Sequence, residues 1–360
     1  MQVIRDFFDK HQITPSVLAV GVSGGADSLA LVLLLKEWLP QTRLVALTVD
    51  HQLRPSSLQE ATYVAKVMAN HDIEHHILTW EGNKPQTGIE EQARIARYDL
   101  LCHWCGSHQI EYLAVAHHLL DQAETFLMRL ERGSGLYGLS SMQEISEKNG
   151  IKILRPLLAV HPQDLKQYLK GKNISWVEDE SNQCLDFLRV KMRHFLPILE
   201  EATGITPDRL YLAAENLQHT RRFIEQHVAQ IIQEKVHFLG NCGASFDVAE
   251  FMSWHPELKF YIFADLIERI TQNPYIPEAS SLNNLLKEVE QPAFGGATLG
   301  GIYFCKSDLR VWLIKENRDI DTFFTEEAWE NYAKRTPSVR GIKVPAKLRQ
   351  ALLYEKNQKN

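Results

Sequence analysis

Residues 17–35 hold the feature that most restricts what this chain can fold into. Val17 to Val22 is an apolar run with the branched residues and the length of a buried strand. Ser23-Gly24-Gly25-Ala26-Asp27-Ser28 follows, and Leu29 to Leu35 then reads as the first turns of a helix. A strand, a tight Gly-Gly turn and a helix N-terminus together make an anion site. Glycines lack Cβ atoms, so backbone N–H groups there can approach a phosphate closely. The helix end adds orphan donors and a partial positive charge. Ser23 and Ser28 add hydroxyls, and Asp27 fits a magnesium ligand or an N-terminal cap. The alternative is a glycine turn that merely joins a strand to a helix.

The surrounding sequence supports a nucleotide-type fold. Strand-like stretches at Val17–Val22, Leu44–Val49, His75–Leu78, Tyr112–Ala116 and Ile151–Leu154 alternate with helical patterns at Ser28–Leu39, Ser56–Asn70, Ile89–Gly106 and Asp121–Arg132. Such alternation predicts an α/β domain, a parallel sheet with helices on both faces. Ligands in such sheets bind at the carboxyl ends of the strands, so polar clusters should follow strands, and they do.

The second strand runs into Asp50-His51-Gln52-Leu53-Arg54. Asp50 can hold ribose or metal, and His51 and Arg54 can meet phosphate; an ordinary polar loop is the other reading. The third helix carries Glu90, Arg94 and Arg97. Glu90 and Arg94 are spaced as a solvated ion pair, while Arg94 and Arg97 on one side suit a phosphate or a substrate carboxylate. Cys102 and Cys105 lie in the same helix without the second ligand pair that a zinc site needs, so they read as packing residues.

The fourth strand runs into His117-His118-Leu119-Leu120-Asp121-Gln122-Ala123-Glu124-Thr125. Asp121, Glu124 and Thr125 fall on one side of the first helical turns. They suit capping; equally, paired carboxylates can bind magnesium, hold an ammonium ion or take its proton. Arg132 stands at the base of a glycine-rich loop of the kind that gates substrates, and Arg155-Pro156 closes the fifth strand. Further on come Glu178 to Asn182 and then Arg189, Arg193 and His194, which share a helical face and can meet RNA phosphates or substrate.

From Pro207 to about Lys235 the periodicity is helical, a connector. Beyond it, helices over Leu258–Thr271 and Ser280–Val289 and strands near Ile302–Cys305 and Leu309–Ile314 predict a small α+β domain. The last stretch is basic, with Lys334, Arg335, Arg340 and Lys343 among its residues, either an RNA contact or a poorly ordered end. A chain of 360 residues suits two or three domains. No apolar run is long enough for a bilayer, and Met1 to Lys10 is too charged for a signal peptide. Five irregularly spaced cysteines suit a reducing compartment, so a cytoplasmic location without a membrane partner is expected. The net charge of -6 does not advertise a nucleic-acid binder, but a local basic face would suffice.

The loop lacks Walker spacing and no Lys follows its glycines. It resembles the SGGxDS pyrophosphate loop of the N-type ATP pyrophosphatases, which cleave ATP between the α- and β-phosphates. The ordered series SGGADS, VDHQLR, HHLLDQAET, RGSGLYGL, RPLL and EDESN, with Arg-x-x-x-Arg-His downstream, resembles the tRNA(Ile)-lysidine synthetase family over roughly the first 200 residues. The resemblance implies a Rossmann-like PP-loop domain of the adenine nucleotide alpha hydrolase type over 1–215. It further implies a connector and small tRNA-binding domain over 216–317, and a short tail or domain remnant over 318–360. It implies that ATP, with Mg2+, adenylates the wobble cytidine of an isoleucine tRNA with a CAU anticodon. Free L-lysine then displaces AMP, and a homodimer is implied as well. By the same resemblance Ser23, Gly24, Gly25, Ala26, Asp27, Ser28, Asp50 and His51 bind nucleotide, and Asp27 and Asp121 bind metal. Asp121 and Glu124 hold the lysine amine and take its proton, Arg189 serves the activated base, and Arg94, His117, Arg132 and Arg193 bind substrate or tRNA. Two departures stand out: the family pattern has Asn where this chain has Val190, and longer members carry a second C-terminal domain. The competing readings are a sulfur-inserting tRNA enzyme such as a 2-thiocytidine synthetase, an amidotransferase-type ligase, and an inactive RNA-binding module.

Overall fold

The computed structural model describes residues 2–53, 57–82, 84, 88–178, 188–240, 242–272, 277–307, 309–316, 330, 333–334, 344–347 and 349. Arg54, the stretch 179–182 and most of 318–360 lie outside them, as does the side chain of Glu90. The chain divides into two compact units, Met1–Arg221 and Arg222–Asn360.

The first unit runs α1 (Val3–His11), β1 (Val17–Gly21), α2 (Ala26–Trp38), β2 (Arg43–Asp50), α3 (Ser57–Ala69), β3 (Glu74–Thr79), α4 (Ile89–Ser107), β4 (Tyr112–Ala114), α5 (Leu119–Glu131), α6 (Leu136–Leu139), β5 (Ile145–Lys148), β6 (Ile151–Leu154), α7 (Pro162–Gly171) and α8 (Leu188–Thr203). It ends within α9 (Pro207–Lys235). The six strands pair in the order β3-β2-β1-β4-β6-β5. Five are parallel, and β5 returns antiparallel on β6. The expected parallel sheet is present, and one antiparallel strand is added at its edge: after Lys148 the chain reverses through Asn149 and Gly150, both at positive φ, with no room for a crossover helix.

Period-2 alternation sorts side chains to the two faces. Leu18 and Val20 of β1 and Leu44 and Ala46 of β2 enter one core, with residues of α1, α2, α3 and α7. Ala19 of β1 and Val45 and Leu47 of β2 enter the other, against Tyr98, Leu101, Cys102 and Cys105 of α4. Helix α2 is apolar on every side, and Leu29 through Leu35 are all buried. Each such leucine contributes roughly 2 kcal/mol by leaving water, so the helix that starts at the glycine turn is anchored along its length. A third cluster joins Ala123, Phe126 and Leu127 of α5 to Leu196 of α8 and Leu210 and Ala214 of α9. That seam brings the first turns of α8 to the carboxylates of α5.

The second unit contains β7 (His237–Phe238), β8 (Gly243–Asp247), α10 (Val248–Ser253), α11 (Pro256–Thr271), α12 (Ala279–Glu290), β9 (Ala297–Leu299), β10 (Ile302–Ser307) and β11 (Arg310–Lys315). Its antiparallel sheet has the order β7-β8-β11-β10-β9. Phe246, Phe251, Trp254, Phe263 and Phe304 form its aromatic centre. Of the basic C-terminal stretch, Lys347 lies 3.8 Å above the Tyr303 ring. Among the described residues no helix is long and apolar enough to cross a membrane.

Candidate active site

The glycine turn sits where β1 ends at the middle of the sheet. Gly24 has φ +88, and a Cβ there would come 3.1 Å from a Val64 methyl group, so both conformation and space call for glycine. Gly25 is the N-cap of α2 and has no side chain to cap with, which corrects the capping alternative for Asp27: that residue lies inside the first helical turn. The two serines have different work. The Ser28 hydroxyl donates to the Gly25 carbonyl at 3.0 Å and accepts the Ser23 N–H at 3.1 Å. Its single proton is spent, so in the 3.2 Å pair between the two hydroxyls Ser23 is the donor. Ser28 braces the loop, whereas the Ser23 hydroxyl can turn toward a ligand. The Asp50 carboxylate, buried at the end of β2, accepts the Gln52 N–H at 2.9 Å and holds the turn that carries His51.

Helix α5 starts on the neighbouring strand β4. His118 and Asp121 form a reciprocal cap: the His118 Nδ1 accepts the Asp121 N–H, and the Asp121 carboxylate accepts the His118 N–H at 3.0 Å. With Nδ1 accepting, the ring proton resides on Nε2, which lies 3.6 Å from Asp27 Oδ2. His118 thereby joins the helix N-terminus at the glycine turn to the carboxylates of α5. Asp27 Oδ1 is buried without a hydrogen-bond partner. Burial raises the Asp27 pKa, His118 opposes the rise and Asp121 adds to it.

Glu124 is fully buried between two arginines. Arg189 Nε donates to its Oε2 at 2.7 Å, and Arg193 Nε donates to its Oε1 at 2.7 Å. Arg189 also reaches Asp121 Oδ1 with an Nη at 3.0 Å. Burial alone would raise the Asp121 pKa, but His118, Arg189 and His117 bring it down to about 2, so the carboxylate is ionised. The same carboxylates keep the Arg189 and Arg193 pKa values above the ordinary one despite burial.

The remaining predicted residues fall at different distances from this centre. His117 Nδ1 and His51 Nδ1 are buried without partners, and burial, with Arg97 nearby, lowers both histidine pKa values. Arg94 is exposed, whereas Arg97, one turn later, is the half-buried arginine whose charge is felt by His51 and His117. Arg155 is buried too, donating to the Gln143 carbonyl and the Ser146 hydroxyl at 2.9 Å each. Arg132 is exposed at the far end of α5, about 16 Å along the helix from Asp121. Val190 is buried, so the side chain next to Arg189 faces inward. Cys102 and Cys105 are free thiols packed under the sheet, and burial pushes Cys105 up to about 12. Sequence reasoning offered Arg97, with Arg94, as a phosphate or carboxylate contact and gave Arg155 no role; their positions in the sequence gave no sign that both charges would act on His117.

His117 makes a prediction. Burial lowers its pKa from 6.5 to about 3, so the folded chain binds this proton more weakly than the unfolded chain. The contribution is complete above pH 6.5 and is lost as pH falls from there toward 3, by about 1.4 kcal/mol per unit. Denaturant unfolding of the native protein and of His117→Asn between pH 7 and pH 5 should show the shallower slope in the variant; parallel slopes would refute the burial argument.

Known proteins resemble this chain over most of its length. The family model described as a PP-loop domain matches residues 2–199. The tRNA(Ile)-lysidine synthase of Wolbachia pipientis wMel is 36% identical over 310 residues, covering 84% of this chain and 71% of the relative. That of Bradyrhizobium sp. strain BTAi1 is 34% identical over 299 residues, covering 79% and 82%. Among solved structures, the U34-tRNA thiolase NcsA from Methanococcus maripaludis matches with a TM-score of 0.52 at 19% identity, covering 61% of this chain and 78% of the thiolase. That last likeness shows the fold alone. Loop, carboxylates and relatives converge: this chain belongs to the tRNA(Ile)-lysidine synthase family of PP-loop ATP pyrophosphatases.

Proposed function

We infer that the protein ligates free L-lysine to the wobble cytidine of an isoleucine tRNA with a CAU anticodon. The observation that carries this reading is the junction at His118, whose ring lies 3.6 Å from Asp27 on the glycine turn and 3.5 Å from Asp121 on α5. In the first step the C2 oxygen of cytosine attacks the α-phosphorus of ATP, and pyrophosphate leaves. In the second, the lysine ε-amine attacks carbon 2, a proton is lost, and AMP departs with the oxygen.

The chain's residues suit each requirement. Backbone N–H groups at Gly24 and Gly25, the Ser23 hydroxyl and the N-terminus of α2 suit the departing phosphates. The orphaned oxygen of Asp27, close to Asp121, fits a hard cation, and these two residues would hold Mg2+ together with phosphate oxygens. Bound there, the ion would offset the charge that develops on the leaving pyrophosphate. Lysine arrives as an ammonium ion and is no nucleophile until it loses a proton. Asp121 and Glu124 are the carboxylates suited to hold it and accept that proton. They are now paired with Arg189 and Arg193, so the incoming ammonium competes with guanidinium for them. An arginine released in this exchange is free to meet the adenylate phosphate, for which a planar guanidinium is well shaped. The tRNA base must be unstacked to enter.

Incorporation of labelled lysine into a CAU-anticodon isoleucine tRNA transcript, with ATP and magnesium, tests the reading. Incorporation should require ATP and vanish when the wobble cytidine is changed to uridine. Pyrophosphate release with RNA but no lysine transfer would remove lysine as co-substrate and favour the sulfur-inserting alternative.

A further inference from the structure

We propose that Thr48 and His75 are positioning residues for the phosphate loop, acting on ATP through one peptide group. The proposal rests on the reading of residues 23–28 as the ATP site. The Thr48 hydroxyl, buried on β2, donates to the Val22 carbonyl at 2.8 Å. His75 Nε2, from the edge strand β3, lies 2.8 Å from the same hydroxyl. Thr48 has one proton and it is committed to Val22, so His75 is the donor and its ring proton sits on Nε2.

The Val22 carbonyl and the Ser23 N–H belong to one planar peptide group and point in opposite directions. The far edge of that group is held as well, by the Ser23 N–H on the Ser28 hydroxyl at 3.1 Å. The Val22 N–H is fixed in turn on the Leu47 carbonyl at 2.8 Å. The first peptide of the loop is thus pinned from β2 on one side and from α2 on the other, and the direction in which Gly24 and Gly25 leave it is set. Three adjacent strands supply the tether, since His75 is on β3, Thr48 on β2 and Val22 at the end of β1. A valine at position 48 would keep the shape and leave the Val22 carbonyl without its donor. The peptide could then rotate, and the glycine N–H groups would no longer converge.

The tether should not respond to pH. Burial lowers the His75 pKa, and a second proton would go to Nδ1, leaving the Nε2–H donor in place.

The test is calorimetric binding of ATP with magnesium to the full chain, together with the lysine KM of the complete reaction. Thr48→Val should weaken ATP binding about tenfold, the effect of one buried acceptor left unsatisfied. The lysine KM should stay unchanged. Thr48→Ser should recover native affinity. His75→Phe should lose part of it and His75→Gln, which keeps an N–H donor, should regain it. Native-like ATP binding by Thr48→Val would overturn the proposal. So would failure of serine to rescue, or parallel losses in ATP affinity, lysine KM and unfolding midpoint, which mark a general structural role. A native chain that binds no ATP would overturn the site reading and the tether together; native binding with an unimpaired Thr48→Val would overturn the tether alone.

Discussion

Changing Glu124 to Gln should separate the two halves of the reaction. Pyrophosphate release on tRNA should continue, adenylated tRNA should accumulate, and lysine transfer should fall by about a thousandfold, in the range expected for loss of a positioned base. Gln keeps the volume of Glu124 but offers one acceptor where the carboxylate offers two. One of the two Nε–H groups, from Arg189 or Arg193, then faces an amide donor. Single-turnover assays that follow pyrophosphate and lysidine separately decide the matter. Normal lysidine yield would sink the role in proton transfer. Loss of both products at once would instead make Glu124 an organiser of the arginines needed from the first step.

The second large effect concerns stability. Replacing both Arg189 and Arg193 with Ala would strand a fully buried carboxylate, because Glu124 is 0% exposed. Removing the partners of a buried charge typically costs about 3–5 kcal/mol. The double variant should therefore unfold at markedly lower denaturant concentration and lose lysidine formation. Adding Glu124→Met to it should restore most of the stability, since an apolar side chain of similar length tolerates the site, and should restore no activity. Equal stability of the native, double and triple forms would show that water reaches Glu124 in the folded chain.

The glycine turn was legible because its neighbours are unambiguous: a branched apolar run before it and an unbroken leucine-rich run after it. The carboxylates of α5 were legible too, since helical spacing alone places Asp121 and Glu124 together. Their partners were not. Arg189 and Arg193 share a helical face in any reading, but nothing local says that Glu124, 65 residues earlier, lies opposite. Arg94 and Arg97 illustrate the same limit, for spacing could not tell the exposed arginine from the half-buried one. Strand β8 escaped notice for a different reason. Its sequence, Gly243-Ala244-Ser245-Phe246-Asp247, has little strand character, yet a Cβ on Gly243 would come 2.3 Å from the Leu313 carbonyl oxygen. Close backbone approach, invisible to propensity, sets that residue. Short β5 and helix α7 lacked long periodic patterns and emerge only in the folded chain.

The central place of β1 also governs the order in which the site can come into being on the ribosome. The loop after Val22 is synthesised well before most of its surroundings. Strand β1 can pair with β2 early, but it gains its second neighbour only when Leu113 is available to Ala19. Non-local pairing of this kind is slow, because chain entropy is lost before contacts reward it. Glu124 then waits a further 65 residues for Arg189. A nascent chain halted in that interval would carry the phosphate loop and the carboxylates but none of the α8 counter-charges, so charge balance around Glu124 is among the last properties the growing PP-loop unit acquires.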